Sequence, residues 1–547
     1  MNLQQRQPQS HLDLLRRRID EVQELLRATV PSNHVTAVLA ILRVLAKLPT
    51  TPDSDAIPDP VTGRRRPLAV LGANKALQLC LETENSGSTV LPDAEADAWG
   101  AGFLDACGWL AEAEVVLAHC ETGFMQMVNE GNETFHVWIT TRRPPTSWRE
   151  RADFDWWAGW SAERRCHEFE AIRSEMNMSA LSGPERQTRA RRLADIHLKR
   201  MAYQLGYPPD AVIDGCTVQT YGDVLRNLIE QVLNTGDIAQ TARPLSERTL
   251  IAELALDLSI GAAVVARAVD AFTLDHDRAA YHAAVPGVAA APLVRVDPDL
   301  LALSPFGLLT EPLLYLAREL KRRAPQDYHN SAYLREDVFR RDLYGLFGDK
   351  RFVTSPGRIV LRRERGDART DVDAVVFDRK TGTLGFFELK TQDPFARSTA
   401  ELIRQRDNIL YANRQVSGVL AWLQRYGPDE LLNRAHTRTA KSFRVQKVYP
   451  FVVGRYLVHF NDGPEPDRRA AWGTWPEVLR LSDGEPPRLP GANPLASLFS
   501  RLTKAAPPLQ LPANVPAKEI AIGQTRLLVY PSYAAYQART GSLLSLL

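Results

Sequence analysis

Residues 371–390 read DVDAVVFDRKTGTLGFFELK: two apolar runs, 374–377 and 384–387, flank a turn signal that contains Lys380, Thr381 and Gly382. That is the pattern of a β-hairpin. Folded symmetrically about Lys380 and Thr381, it sets Phe377 opposite Leu384, Val375 opposite Phe386, Asp373 opposite Glu388 and Asp371 opposite Lys390. Directly opposed residues have Cβ atoms about 4.5–5.5 Å apart, so Asp373 and Glu388 aim two carboxylates at one point and repel unless a cation lies between them. Strand alternation places Glu388, Lys390 and Gln392 on one face. Two hard oxygen ligands beside an ammonium suit Mg2+, which a protein holds through one or two carboxylates while the ion keeps several waters.

Outward from the hairpin, the periodicity predicts helices over 311–323 and 332–347, strand over 351–364, strands over 371–377 and 383–391, a long helix over 398–426 and strand over 443–460. This is α/β grammar. The N-terminal half reads as mainly α-helical: a helical hairpin over 11–48 broken at Pro31, Ser32 and Asn33, a proline-rich loop over 49–67, a helix over 93–118 and a β-hairpin whose arms are 124–128 and 134–139. Residues 161–285 are mostly helical, 293–296 a short strand, and 461–516 rich in Pro and Gly before a terminal strand at 525–530. The expected division is 1–160, 161–325, 326–460 and 461–547.

The 326–460 segment resembles the PD-(D/E)xK nuclease superfamily, the restriction-endonuclease-like fold. The pattern is an acidic residue on one strand and Glu-x-Lys on the next, here Asp373 and Glu388-Leu389-Lys390, with Val372 where the first letter of the motif is Pro. The resemblance implies that Asp373, Glu388 and the backbone carbonyl of Leu389 hold Mg2+, with Mn2+ as a substitute. It also implies that Lys390 orients or deprotonates the attacking water, and that an acidic residue comes from the preceding helix. Glu336 is the match there, with Asp337 adjacent. Some members add a Gln from the following helix, for which Gln405 is the candidate, although Ile409 breaks the Gln-x-x-x-Tyr form of RecB-like members. Asp371 and Gln392 are accessory candidates. The implied activity is phosphodiester hydrolysis with nucleic acid, DNA first, as partner, in the manner of restriction and phage-defence effectors. RNA cleavage, and a non-catalytic scaffold on a degenerate nuclease fold, stay open at this point.

Charge and cysteine usage frame these readings. The 547 residues carry 67 Lys+Arg against 65 Asp+Glu, but residues 331–460 hold 24 basic and 15 acidic residues, net +9, leaving 43 against 50, net −7, elsewhere. A basic segment suits phosphate binding, and an acidic remainder suits control of it. Five cysteines without a CxxC pair argue for reduced thiols and a cytoplasmic setting. No stretch reads as a membrane span, and no GxxxxGK[ST] loop is present, so activation by a partner protein or by self-association is the expectation.

Weaker signals have plainer explanations. Trp148, Trp156, Trp157 and Trp160 among arginines read first as a packed junction, and residues 250–272 as core helices with a helix-turn-helix flavour. His119, Cys120, Cys166 and His167 lack the usual zinc spacing. Asp275-His276-Asp277 lacks the further ligands that an HD phosphohydrolase dyad needs.

Overall fold

The computed structural model describes residues 9–47, 68–83, 92–121, 125–131, 133–139, 183–235, 241–284, 290–348, 350–364, 366–392, 399–435, 443–456, 458, 465–482, 488–504, 517–530 and 536. The tryptophan-rich stretch 148–160, Cys166 and His167 lie outside them.

The 371–390 hairpin forms with strands Ala374–Asp378 and Thr383–Lys390. Their register is the symmetric one, with Phe377 opposite Leu384 and Val375 opposite Phe386. The turn is locked by Asp378, whose buried carboxylate accepts from the Lys380 N–H at 3.0 Å and the Thr381 hydroxyl at 2.6 Å. Gly382 takes φ +64°, a conformation that costs a residue without Cβ nothing.

These strands are the centre of a five-stranded sheet ordered Ala471–Thr474, Lys447–Gly454, Thr383–Lys390, Ala374–Asp378, Phe352–Thr354. Thr383–Lys390 pairs in parallel with Lys447–Gly454, so a crossover must join them. Helices Thr399–Leu410, Ala412–Tyr426 and Pro428–Ala435 make it. Alternation then sorts the side chains. Ala374, Val376, Phe387 and Leu389 pack with Phe339, Leu343, Trp475 and Leu498. On the other face, Val375, Phe377, Leu384 and Phe386 pack with Val419, Trp422 and Leu431. The result is helix, sheet and helix in three layers.

Several boundaries differ from the expectation. The 371–377 strand is two, because Ala368–Val372 leaves to pair with Ile359–Arg362 in a separate ribbon. Asp371 therefore lies opposite Val360, not Lys390. The 398–426 helix breaks at Tyr411, and 351–364 splits into two strands. Residues past 460 are built into the body: Ala471–Thr474 is a sheet edge, Leu495, Leu498 and Leu502 cover its face, and Thr525–Tyr530 pairs in parallel with Thr134–Ile139 of the N-terminal hairpin.

The N-terminal half is helical, as its periodicity implies. Gln9–Ala28 and His34–Ala46 are the two expected helices, Asn33 capping the second through Thr36 N–H, but they are not a packed hairpin: Leu12, Leu15 and Ile19 of the first pack with Leu110 and Val116, and Val38, Ile41 and Leu45 of the second belong to a separate core. Region 161–325 also holds a four-stranded sheet, Pro244–Ser246, Leu300–Leu303, Leu293–Asp297 and Thr273–Leu274. Its core runs without a break into Ile409, Val416, Val452 and Trp472. Among the described residues no single helix is long and apolar enough to cross a membrane; Leu250, Leu254, Val265 and Val269 are buried in this core.

The Phe387 ring is fully buried and stacks on Phe451 with centroids 4.5 Å apart. Phe387→Ala is expected to cost about 3–5 kcal/mol of stability. A lowered urea midpoint with unchanged slope would register the loss, and an unchanged midpoint would show that the hairpin does not carry this core.

Candidate active site

Asp373 stands where the chain passes from one sheet to another: Val372 pairs with Ile359 and Ala374 with Phe387. The antiparallel ladder ends there. Beyond it, the Leu389 N–H donates to Asp373 Oδ2 at 2.8 Å, so the carboxylate replaces a missing ladder acceptor and is fixed by doing so. A strand residue directs its N–H and C=O to the same side, which turns the Leu389 carbonyl toward Asp373 as well.

Glu388 and Lys390 project from the neighbouring strand on the face that carries Leu384 and Phe386, and both are buried. Lys390 Nζ lies 2.7 Å from Glu388 Oε1 and donates to Gln415 Oε1 at 2.8 Å. Gln415 Nε2 in turn reaches Asp371 Oδ1 at 3.4 Å, and Asp371 Oδ2 lies 2.9 Å from Arg358 Nη1. Arg340, also buried, donates to the carbonyl oxygen of Asp373 and to the Asp337 carboxylate.

Glu336 and Asp337, adjacent on helix Ala332–Gly345, thus have different tasks. Asp337 pairs with Arg340. Glu336 senses Asp373 and Lys390, and its carboxyl is pushed up to about 6, first by burial and then by the Asp373 charge. Burial also raises Asp373, against the pull of the Leu389 N–H, and raises Glu388 well above its ordinary range, with Asp373 the next cause. The short Lys390 contact draws Glu388 toward ionisation, but one ammonium does not compensate three crowded carboxyls. The upward direction therefore prevails, and the cluster calls for a proton or a further cation.

That excess is the test of fit for a divalent ion. Two hard carboxylates and a carbonyl suit Mg2+. Among the described residues no group of three His, Cys, Asp or Glu side chains is placed to hold a metal ion; Mg2+ commonly keeps several waters beside one or two carboxylates.

Asp373, Glu388, Lys390 and Glu336 come together, with Leu389 contributing backbone and Asp371 joined through Gln415. Gln392 is buried at the strand end, where its Oε1 accepts from Tyr456 N–H at 2.7 Å, a tie to the adjacent strand's exit. Gln405 belongs to the Thr399–Leu410 helix, whereas the glutamine at Lys390 is Gln415 on the next one. Sequence reasoning missed Gln415 because the break at Tyr411 resets helical phase. It missed Arg340 because one Arg among 56 carries no signal. Elsewhere, Asp275 caps helix His276–Ala283 through Arg278 N–H, and His276 and Asp277 face solvent.

Comparison of the chain with protein-family models, curated proteins and solved structures found no match.

Glu336 yields a pH prediction. Its folded value, about 6, lies above the ordinary 4.5, so the folded chain binds this proton more tightly than the unfolded chain does. The stabilisation is complete below 4.5 and lost as pH rises through 6. Glu336→Gln is therefore expected to raise the melting temperature at pH 8 relative to the parent and to lose that advantage at pH 4. Equal melting temperatures at pH 8 would place Glu336 outside the strained cluster.

Proposed function

We propose that the chain is a Mg2+-dependent nuclease of the PD-(D/E)xK type that hydrolyses phosphodiester bonds, with DNA as its substrate. The observation that carries this reading is the Asp373–Glu388–Lys390 cluster: buried carboxylates in excess around one lysine, at the junction where two sheets part. Perturbed titrations of this kind concentrate at functional sites, where burial and neighbouring charge tune groups to their chemistry. The net +9 of residues 331–460 supports a polyanionic substrate.

Asp373, Glu388 and the Leu389 carbonyl would hold the ion, which when bound polarises a phosphate and acidifies a water. The remaining work belongs to the chain. Lys390, fixed by Gln415, holds a proton beside the reacting phosphate and offsets its growing charge; its ammonium can also release that proton, which a guanidinium cannot. Glu336, poised near 6, can exchange a proton with a nearby water at neutral pH. A role in restriction or phage defence is part of the proposal and rests on the joining of such a segment to a large helical half.

The test is incubation of purified protein with plasmid, linear duplex, single-stranded DNA and RNA in Mg2+, Mn2+ or EDTA. Asp373→Ala and Lys390→Ala should each lower cleavage by about 10²–10⁴-fold. Cleavage surviving in both variants overturns the site. Cleavage of RNA alone replaces the DNA assignment, and binding without cleavage of any substrate favours a scaffold.

A further inference from the structure

Among the described residues, exactly two aromatic side chains are largely exposed, Tyr333 at 61% and Tyr411 at 51%. Both border the candidate active site. Tyr333 lies one turn before Glu336 on the Ala332–Gly345 helix, and residues three apart share a helix face. Tyr411 occupies the break between Thr399–Leu410 and Ala412–Tyr426, which leaves its ring in solvent while the flanking Leu410 and Ala412 are buried. Its ring centroid is 5.9 Å from Lys390 Nζ and 5.8 Å from the Arg414 guanidinium carbon.

Resting on the nuclease reading, we infer that Tyr333 and Tyr411 are stacking platforms for unpaired bases beside the scissile phosphate, so that the substrate enters as single-stranded nucleic acid. An aromatic face held in water forgoes the burial that such rings usually obtain. Every nucleobase offers a flat π-surface to such a ring, but only when it is free of its own neighbours, as in a single strand. Within a duplex those faces are closed. The charges agree: Arg414 is exposed next to the Tyr411 ring, and Arg358 is more than half exposed beside Asp371, where each can meet a backbone phosphate. Stacking fixes the sugar-phosphate path between two bases, and the phosphate between them is then presented to Lys390.

The test measures binding apart from chemistry. Fluorescence anisotropy in EDTA compares the full chain on a labelled single-stranded oligonucleotide with the same strand in a blunt duplex. Single strand should bind at least tenfold more tightly. Tyr333→Ala and Tyr411→Ala should each weaken single-strand binding about tenfold, and the Tyr→Phe variants should restore it, because a ring without its hydroxyl still stacks. Circular dichroism confirms that these exposed substitutions leave the fold intact. Equal affinity for duplex and single strand, or Tyr→Ala variants that keep parental affinity, overturns the inference. If the parent nonetheless cuts duplex DNA in Mg2+, the nuclease reading stands without it. If tyrosine-dependent binding occurs with no cleavage of any substrate, the inference stands and the nuclease reading fails.

Discussion

The hydrogen bond from the Leu389 N–H to Asp373 Oδ2 joins the end of one sheet to the start of another, and the candidate site is arranged around it. A chain that switches sheets leaves a backbone donor without a ladder acceptor, and an unpaired buried donor is costly. A carboxylate satisfies it strongly, through a charge-assisted bond. In doing so Asp373 is held next to the strand that carries Glu388 and Lys390, whatever repulsion follows. The local backbone geometry thus forces a crowding of negative charge that, on top of burial, raises the Glu388 and Glu336 carboxyls.

Crowding on this scale is tolerated because the surrounding packing fixes it. Phe387 and Leu389 are clamped on one face of the sheet and Val375 and Phe386 on the other, so the strands cannot separate to relieve Asp373 and Glu388. Arg340 holds the Asp373 carbonyl, and Gln415 holds Lys390. Cations and neutral hydrogen-bonding groups line the rim, while the centre keeps a surplus of carboxylate. Stability is given up locally and restored by the apolar layers around it.

The core also links the halves. Residues of the helical half pack continuously with Ile409, Val416 and Val452 of the crossover helices and the sheet, and the terminal strand Thr525–Tyr530 is added to the hairpin near the chain's beginning. A basic segment and an acidic remainder therefore share one continuous apolar core.

The sequence by itself determined the hairpin, its register and three residues that gather there, Asp373, Glu388 and Lys390, because strand alternation and a short turn leave little freedom: once Phe377 faces Leu384, Asp373 must approach Glu388. Glu336 came from the family resemblance, with Asp337 beside it as the alternative, and only the structure separated the two by pairing Asp337 with Arg340. Only the tertiary structure decided the rest. Whether strand 371–377 continues or departs at Asp373 depends on a partner, Ile359–Arg362, that local pattern does not specify. Asp371, Gln392 and Gln405 have the right chemistry, yet their partners are set by neighbouring elements, as Arg358 and Gln415 are for Asp371 and Tyr456 is for Gln392. Gln415 and Tyr411 owe their places to the helix break at Tyr411, beyond which Val416 and Trp422 of the second helix are buried in two different cores. Period and turn chemistry act over a few residues; the meeting of side chains from separate elements is settled by which apolar faces cover one another.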